Sequence, residues 1–318
     1  MDIPALLHSL GLPLLKLVGT ICVGLFVAVL LESLHWTRFV ARLASPLVRL
    51  GHLRDVAGAS FALAFFSPAA SNALLAESVA KGELSRRELV VANLFNSSPT
   101  FLVHLPTLFS VAYAFLGRAA FIYVGLTFGA AVLRTLGTVL AGRLFLPAPV
   151  AGCPDCRLPE EGPRTAKNLL GKVVKRFRKR LTKLLLFTVP VYCLFYFLHQ
   201  VGFFDAAESF MANHLDMFPF LRPEAVGIVV LHLAAESGAA FGAAASLVAS
   251  GALATHEIIM ALLVGNIISS PVRAVRHQFP SYAGFFGPRD AAFLVTANQA
   301  CRAASLVVAA MCWYAWAF

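Results

Sequence analysis

Four groups of polar residues interrupt otherwise apolar stretches of this chain, and their types suit recognition of a small polar solute. Ser67, Ser71 and Asn72 fall in one stretch, and Glu236 and Ser237 in another. Asn96, Ser97 and Ser98 precede Pro99, while Asn266, Ser269 and Ser270 precede Pro271. Hydroxyls and amides offer both donors and acceptors. A carboxylate at Glu236 suits cation or proton coupling, or capture of a substrate amine. Ionisable residues inside apolar spans are costly and point to function. Arg134 and Arg302 belong to that class, with three roles open to them: neutralising Glu236, binding an anion, or bracing the fold. Arg273, Arg276 and His277 suit a cytoplasmic gate, an anion funnel or plain anchoring. Glu77, His104, His232 and Asn298 read as packed, hydrogen-bonded structural residues. No catalytic nucleophile–base pair, paired carboxylate or metal-ligand cluster is visible, so neither an enzymatic centre nor a cofactor is expected.

The elements that hold these residues are membrane helices. Hydrophobic residues make up 59% of the chain and charged residues 13%, with a mean hydropathy of +0.77. That balance belongs to an integral membrane protein. A helical crossing needs about 20 apolar residues, and long candidates are Leu14–Leu34, Arg54–Ala80, Glu88–Leu116, Ala119–Phe145, Leu184–Gly202, Arg222–Ser250, Glu257–Phe286 and Ala291–Phe318. The first lacks the basic flank and small-residue cleavage site of a signal peptide.

The formal charge of +10 does not imply nucleic acid. Residues 157–183 hold ten Lys or Arg, so one connector carries most of the excess. A basic connector between apolar spans is a positive-inside signal, and contact with anionic lipid headgroups is secondary. Within it, Cys153 and Cys156 form a C-x-x-C pair, which is half a zinc site at most. No metal site is expected there.

The polar interruptions are duplicated. Ser67 lies fifteen residues before Gly82, and Glu236 fifteen before Gly251; Glu88 and Glu257 each follow their glycine by six. Leu53-Arg54 matches Leu221-Arg222, Arg118–Phe121 resembles Arg289–Phe293, and Arg134 roughly matches Arg302. The expected organisation is a first membrane repeat over 1–146, a basic cytoplasmic linker over 147–180 and a second repeat over 181–318. Duplicated breaks in apolar segments point to a transport site near the bilayer midplane.

Flanking charge orients the repeats. Arg38, Arg42 and Arg49 follow the first span of the first repeat, whereas Asp205, Glu208 and Asp216 occupy the matching segment of the second. Lys81, Arg86 and Arg87 surround Gly82, against His256 alone near Gly251. Opposite bias in corresponding loops places them on opposite faces. Inverted repeats require an odd number of crossings each, so Arg54–Ala80 and Arg222–Ser250 are expected to be re-entrant hairpins. Each arm of roughly 12 residues reaches roughly 18 Å, just past the middle of the core. The fold class is then all-α integral membrane, two inverted repeats, each with three transmembrane helices plus a hairpin. Pro68 and Gly238 mark the hairpin tips, and the Ser-Ser-Pro segments are expected to be unwound turns. Trp36–Leu50 and Phe204–Phe218 read as interfacial amphipathic segments. Ser85 and Glu88 have capping-box spacing.

The pattern Ser-Pro-Ala-Ala from Ser67 with Asn-Ser-Ser-Pro from Asn96, and Glu-Ser-Gly-Ala-Ala-Phe from Glu236 with Asn-Ile-Ile-Ser-Ser-Pro from Asn266, resembles the nucleoside-recognition or Gate family. More distantly it is similar to the permease repeats of bacterial ferrous-iron transporters and to spore-maturation membrane proteins. The chain has Ser67 where an in-membrane Cys is expected for iron, and no G-x-x-x-x-G-K-[ST] motif, which argues against iron. The paired breaks imply a multi-pass permease of a prokaryotic cytoplasmic membrane that moves a small polar or anionic solute by alternating access, and the resemblance adds a nucleoside-like solute by analogy. Its partners would be the solute or ion and the lipid bilayer, with homo-oligomerisation open. The rival readings are a membrane-embedded lipid-processing enzyme and a non-transporting assembly factor.

Overall fold

In the computed structural model, the structure describes residues 37–148 and 222–318 except 235–236, with scattered helical positions between 11 and 26 and between 171 and 197. Every regular element among the described residues is helical. Residue 236, the side chain of Ser237, those of Arg276 and His277, the Cys153–Cys156 pair and the 204–218 segment lie outside the described residues.

Helix α1 (Thr37–Leu50) spans the first amphipathic segment. A short loop leads to α2 (Asp55–Ala64) and α3 (Pro68–Ala80). The expected break is present: Pro68 begins α3, and Ser67 caps it, its Oγ accepting the Ala70 N–H at 3.1 Å. Helix α3 ends at a left-handed Gly82 with φ of 73°. A residue with a Cβ resists that conformation, so glycine terminates the helix there.

Helix α4 (Arg86–Phe95) starts with the full capping box, Ser85 and Glu88 each receiving the other's backbone N–H. Helix α5 (Ser97–Leu116) follows after Asn96 alone, and α6 (Ala119–Phe145) after Gly117. In the second half the order recurs with α7 (Pro223–Ala234), α8 (Ser237–Ser250), a left-handed Gly251, and α9 (Thr255–Arg273). A π-helical turn at Ala274–Gln278, α10 (Phe279–Phe286), a left-handed Gly287 and α11 (Pro288–Ala317) complete it.

Among the described residues, four stretches are long and apolar enough to cross a membrane: Arg86–Leu116, Ala119–Phe145, Thr255–Arg273 and Pro288–Ala317. Helices α2 and α3, at 10 and 13 residues, are not. They reach roughly 15 and 20 Å.

Both Ser-Ser-Pro segments differ from the unwound turns expected of them. Asn96 keeps right-handed helical dihedrals (φ −67°, ψ −10°), so the first is a one-residue interruption. The second does not unwind at all: Asn266, Ser269, Ser270 and Pro271 lie within α9. A proline removes one N–H, and packed neighbouring helices with local π adjustment accommodate it. A π turn begins three residues later, at Ala274.

Two apolar cores cross the boundary between the halves. One joins Ala112, Leu116 and Tyr123 of α5 and α6 to Phe241 of α8, Ile259 and Leu262 of α9, and Trp313 of α11. The other joins Leu53, Phe61, Leu75 and Phe95 of the first half to Leu294 of α11, with Tyr282 and Phe286 packed against it. Each half thus buries a hairpin against helices of the other. Polar ties reinforce the seam: Asn298 donates to Asn93 Oδ1 at 2.9 Å, and Asn93 lies 3.4 Å from the Tyr282 hydroxyl. Arg86 pairs with Asp290 at 2.6 Å and its guanidinium lies over the Phe293 ring.

Candidate functional site

Between the two cores lies a cavity of about 610 Å³, lined by residues of both halves. Helix α6 supplies one wall through Tyr123, Thr127, Ala131 and Arg134, spaced four, four and three residues apart along one face. Helix α11 supplies another through Asn298, Arg302 and Ser305, again at helical spacing. Asn266 and Arg273 of α9, Gln278 of the π turn, Ser71 and Asn72 of α3, and Asn96, Ser97 and His104 add to the polar lining.

Three arginines from three membrane helices therefore open onto one space. Arg302 donates to Asn266 Oδ1 at 3.1 Å, and Arg273 donates to the same oxygen at 3.2 Å. The Asn266 amide also donates to the Tyr123 hydroxyl at 3.2 Å, which fixes its orientation. Arg134 donates through Nε to Ser97 Oγ at 2.9 Å. Arg134 and Arg273 lie within electrostatic reach of Arg302. Among the described residues, no Asp or Glu lines the cavity, and the hydrogen-bond partners of Arg134 and Arg302 are neutral. Both arginines sit near the middle of their helices, Arg134 about 22 Å from the start of α6 at 1.5 Å per residue.

Behind this charged wall is a neutral cluster. Asn96 Nδ2 donates to Ser60 Oγ at 2.7 Å and to Ser71 Oγ at 2.9 Å, and the two hydroxyls are 2.8 Å apart. Asn96 is 5% exposed, and its Oδ1 has no hydrogen-bond partner. A further chain positions the π turn: Ser270 donates to Gln299 Oε1 at 2.6 Å, and Gln299 Nε2 donates to Gln278 Oε1 at 3.1 Å.

Of the residues singled out from sequence, Ser71, Asn72, Asn96, Ser97, Asn266, Arg134, Arg273 and Arg302 share this cavity. Ser67 is engaged in capping, Ser98 pairs with Thr135, Ser269 is buried off the cavity, and Ser270 acts through Gln299. Tyr123, Thr127, Gln278, Gln299 and Tyr282 line it without having been singled out, and His104 and Asn298, read from sequence as packed, hydrogen-bonded structural residues, line it too. The polar face of α6, readable every three or four residues back from Arg134, was the signal available for the first two. Glu77 stands apart, exposed and bonded to Lys81 at 2.6 Å, which holds its carboxyl below the usual value.

No family model matches the chain, and no solved structure matches it. Three archaeal proteins from Methanocaldococcus jannaschii are similar over most of its length. Uncharacterized protein MJ0871 is 29% identical over 265 residues, covering 82% of this chain and 80% of the relative. Uncharacterized protein MJ1556 is 26% identical, covering 84% of each. Uncharacterized protein MJ0880 is 22% identical, covering 86% and 89%.

Proposed function

We propose that this protein is a multi-pass permease of a prokaryotic cytoplasmic membrane that carries a small anionic solute through the cavity between its halves. One observation carries the reading: Arg134 and Arg302, both bonded to neutral partners, open onto one cavity between the halves. Guanidinium groups at bilayer depth are expensive and repel one another. A fold retains them together where an anion completes the site.

The halves act as inverted repeats, each with a hairpin entering from its own face, and alternate access around the cavity. Support comes from the recurring element order, the left-handed Gly82 and Gly251 after the hairpins, and arms too short to cross. The chain is of the nucleoside-recognition or Gate type by the Ser67–Ala70 and Asn96–Pro99 patterns. Glu236 remains the proposed coupling group.

The test is uptake by proteoliposomes of radiolabelled phosphate, glycerol phosphate, succinate, benzoate and, as a neutral control, uridine. At least one anion should accumulate, and Arg302→Gln should abolish that uptake at equal protein content. Accumulation of uridine alone, or anion uptake indifferent to Arg302→Gln, would overturn the proposal.

A further inference from the structure

We infer that the seam between α4 and α11 is the gate joining the cavity to one membrane face, the face that bears Arg86; this rests on the permease reading above. Helix α11 sets the register on both sides. Arg86, at the start of α4, pairs with Asp290 at 2.6 Å, and Asn93, two turns on, accepts from Asn298 at 2.9 Å. Helix α4 therefore runs parallel to α11. Helix α9 runs the other way, since His256 meets Trp313, Asn266 meets Arg302 and Ser270 meets Gln299. The matching helices α4 and α9 thus begin at opposite ends of α11, about 35 Å apart at 1.5 Å per residue.

The two seams differ in what parting them exposes. Asn298 and Tyr282 line the cavity, and buried Asn93 accepts from the one and lies 3.4 Å from the hydroxyl of the other. Farther out, the half-exposed Arg86 and Asp290 close the path, with Arg86 over the Phe293 ring. Leu89 and Leu294, both buried, fall between the two polar rungs and form the dry layer that stops an ion. The corresponding seam, α6 against α9, buries Ala120, Tyr123 and Val124 in one core with Ile259, Leu262 and Leu263. Water replaces the partners of amides and ions at little net cost, whereas apolar surface resists exposure. The α4–α11 seam is the one that parts, and α6–α9 stays packed. An anion leaving the cavity by this route passes the Asn298 and Asn93 amides toward the Arg86 guanidinium, which draws it outward.

A cysteine in the cavity wall reads the gate. Ala131→Cys in the full-length protein is labelled with a membrane-impermeant, anionic methanethiosulfonate in right-side-out and in inverted membrane vesicles. Residue-resolved mass spectrometry separates it from the native cysteines, and Arg87→Cys identifies the Arg86 side. From that side, Asn93→Ala should speed labelling about tenfold and Arg86→Gln, which removes an exposed pair, about threefold. From the opposite side neither should speed it. Equal acceleration from both sides would mean general loosening and overturn the gate, as would labelling that neither substitution changes; anion uptake in the same vesicles would leave the permease standing. Side-specific acceleration in a protein that takes up no anion would uphold the gate and bring down the permease reading.

Discussion

Asn96 and Asn266 occupy matching motifs in the two halves, and both are buried, yet they do opposite work. Asn96 turns its amide on two serine hydroxyls of the first hairpin and ties α4 to α2 and α3. Asn266 presents its oxygen to two arginines and its amide to Tyr123. One half has a neutral polar lock; the other gathers charge. The paired arginines repeat the contrast, since Arg134 rests on Ser97 of the first motif and Arg302 on Asn266 of the second. The two motifs carry the same residue types, and their neighbours assign them different roles.

The sharpest way to break the comparison is to remove each amide. Asn266→Ala should abolish anion uptake, because it deletes the acceptor that holds two guanidiniums together. Asn96→Ala should retain most uptake and instead destabilise the protein by about 1–3 kcal/mol, since Ser60 and Ser71 lose a buried partner. Uptake and thermal unfolding of both variants in the same detergent decide it; equal effects on uptake would erase the distinction.

Backbone contacts offer a second contrast. A Cβ on Gly142 would come within 2.3 Å of the Gly51 carbonyl oxygen, whereas one on Gly265 would meet the His232 side chain at 2.9 Å. The Gly142 overlap is the deeper and is with backbone, so Gly142→Ala should cost about 1–3 kcal/mol or more; Gly265→Ala, which meets the nearly fixed His232 Cβ, should cost somewhat less. Unfolding midpoints of the two variants provide the measurement.

The smallest effect belongs to the caps. Glu88 receives the Ser85 N–H at 2.7 Å and pairs with Arg54 at 2.5 Å. Glu257 receives the Ala254 N–H at 2.8 Å but sits 3.8 Å from Arg222. Glu88→Gln should therefore lower stability by roughly 1 kcal/mol, and Glu257→Gln by less. The difference should shrink in high salt, where the Arg54 pair is partly screened.

Much of this architecture was legible from residue order. Ser67-Pro68 marks a helix start because proline suits the first turn and serine the cap, and Gly82 and Gly251 mark helix ends because glycine adopts positive φ without strain. Apolar length delimited Ala119–Phe145 to the residue. These signals act within a few positions along the chain, so they survive in the sequence. The Asn266–Pro271 segment misled for the opposite reason: a proline reads as a break locally, while packed neighbours carry the helix through it.

The amino-acid order on its own determined the membrane helices, their caps, the duplicated breaks and the presence of arginines at bilayer depth. Only the tertiary structure decided which polar groups meet. Ser98 turned to Thr135 and Ser67 to its own helix, while Tyr123, Gln278, Asn298 and Gln299 turned to the cavity. The direction in which a helix face points depends on how two hairpins pack against the opposite halves, and that packing arises from contacts between residues more than a hundred positions apart.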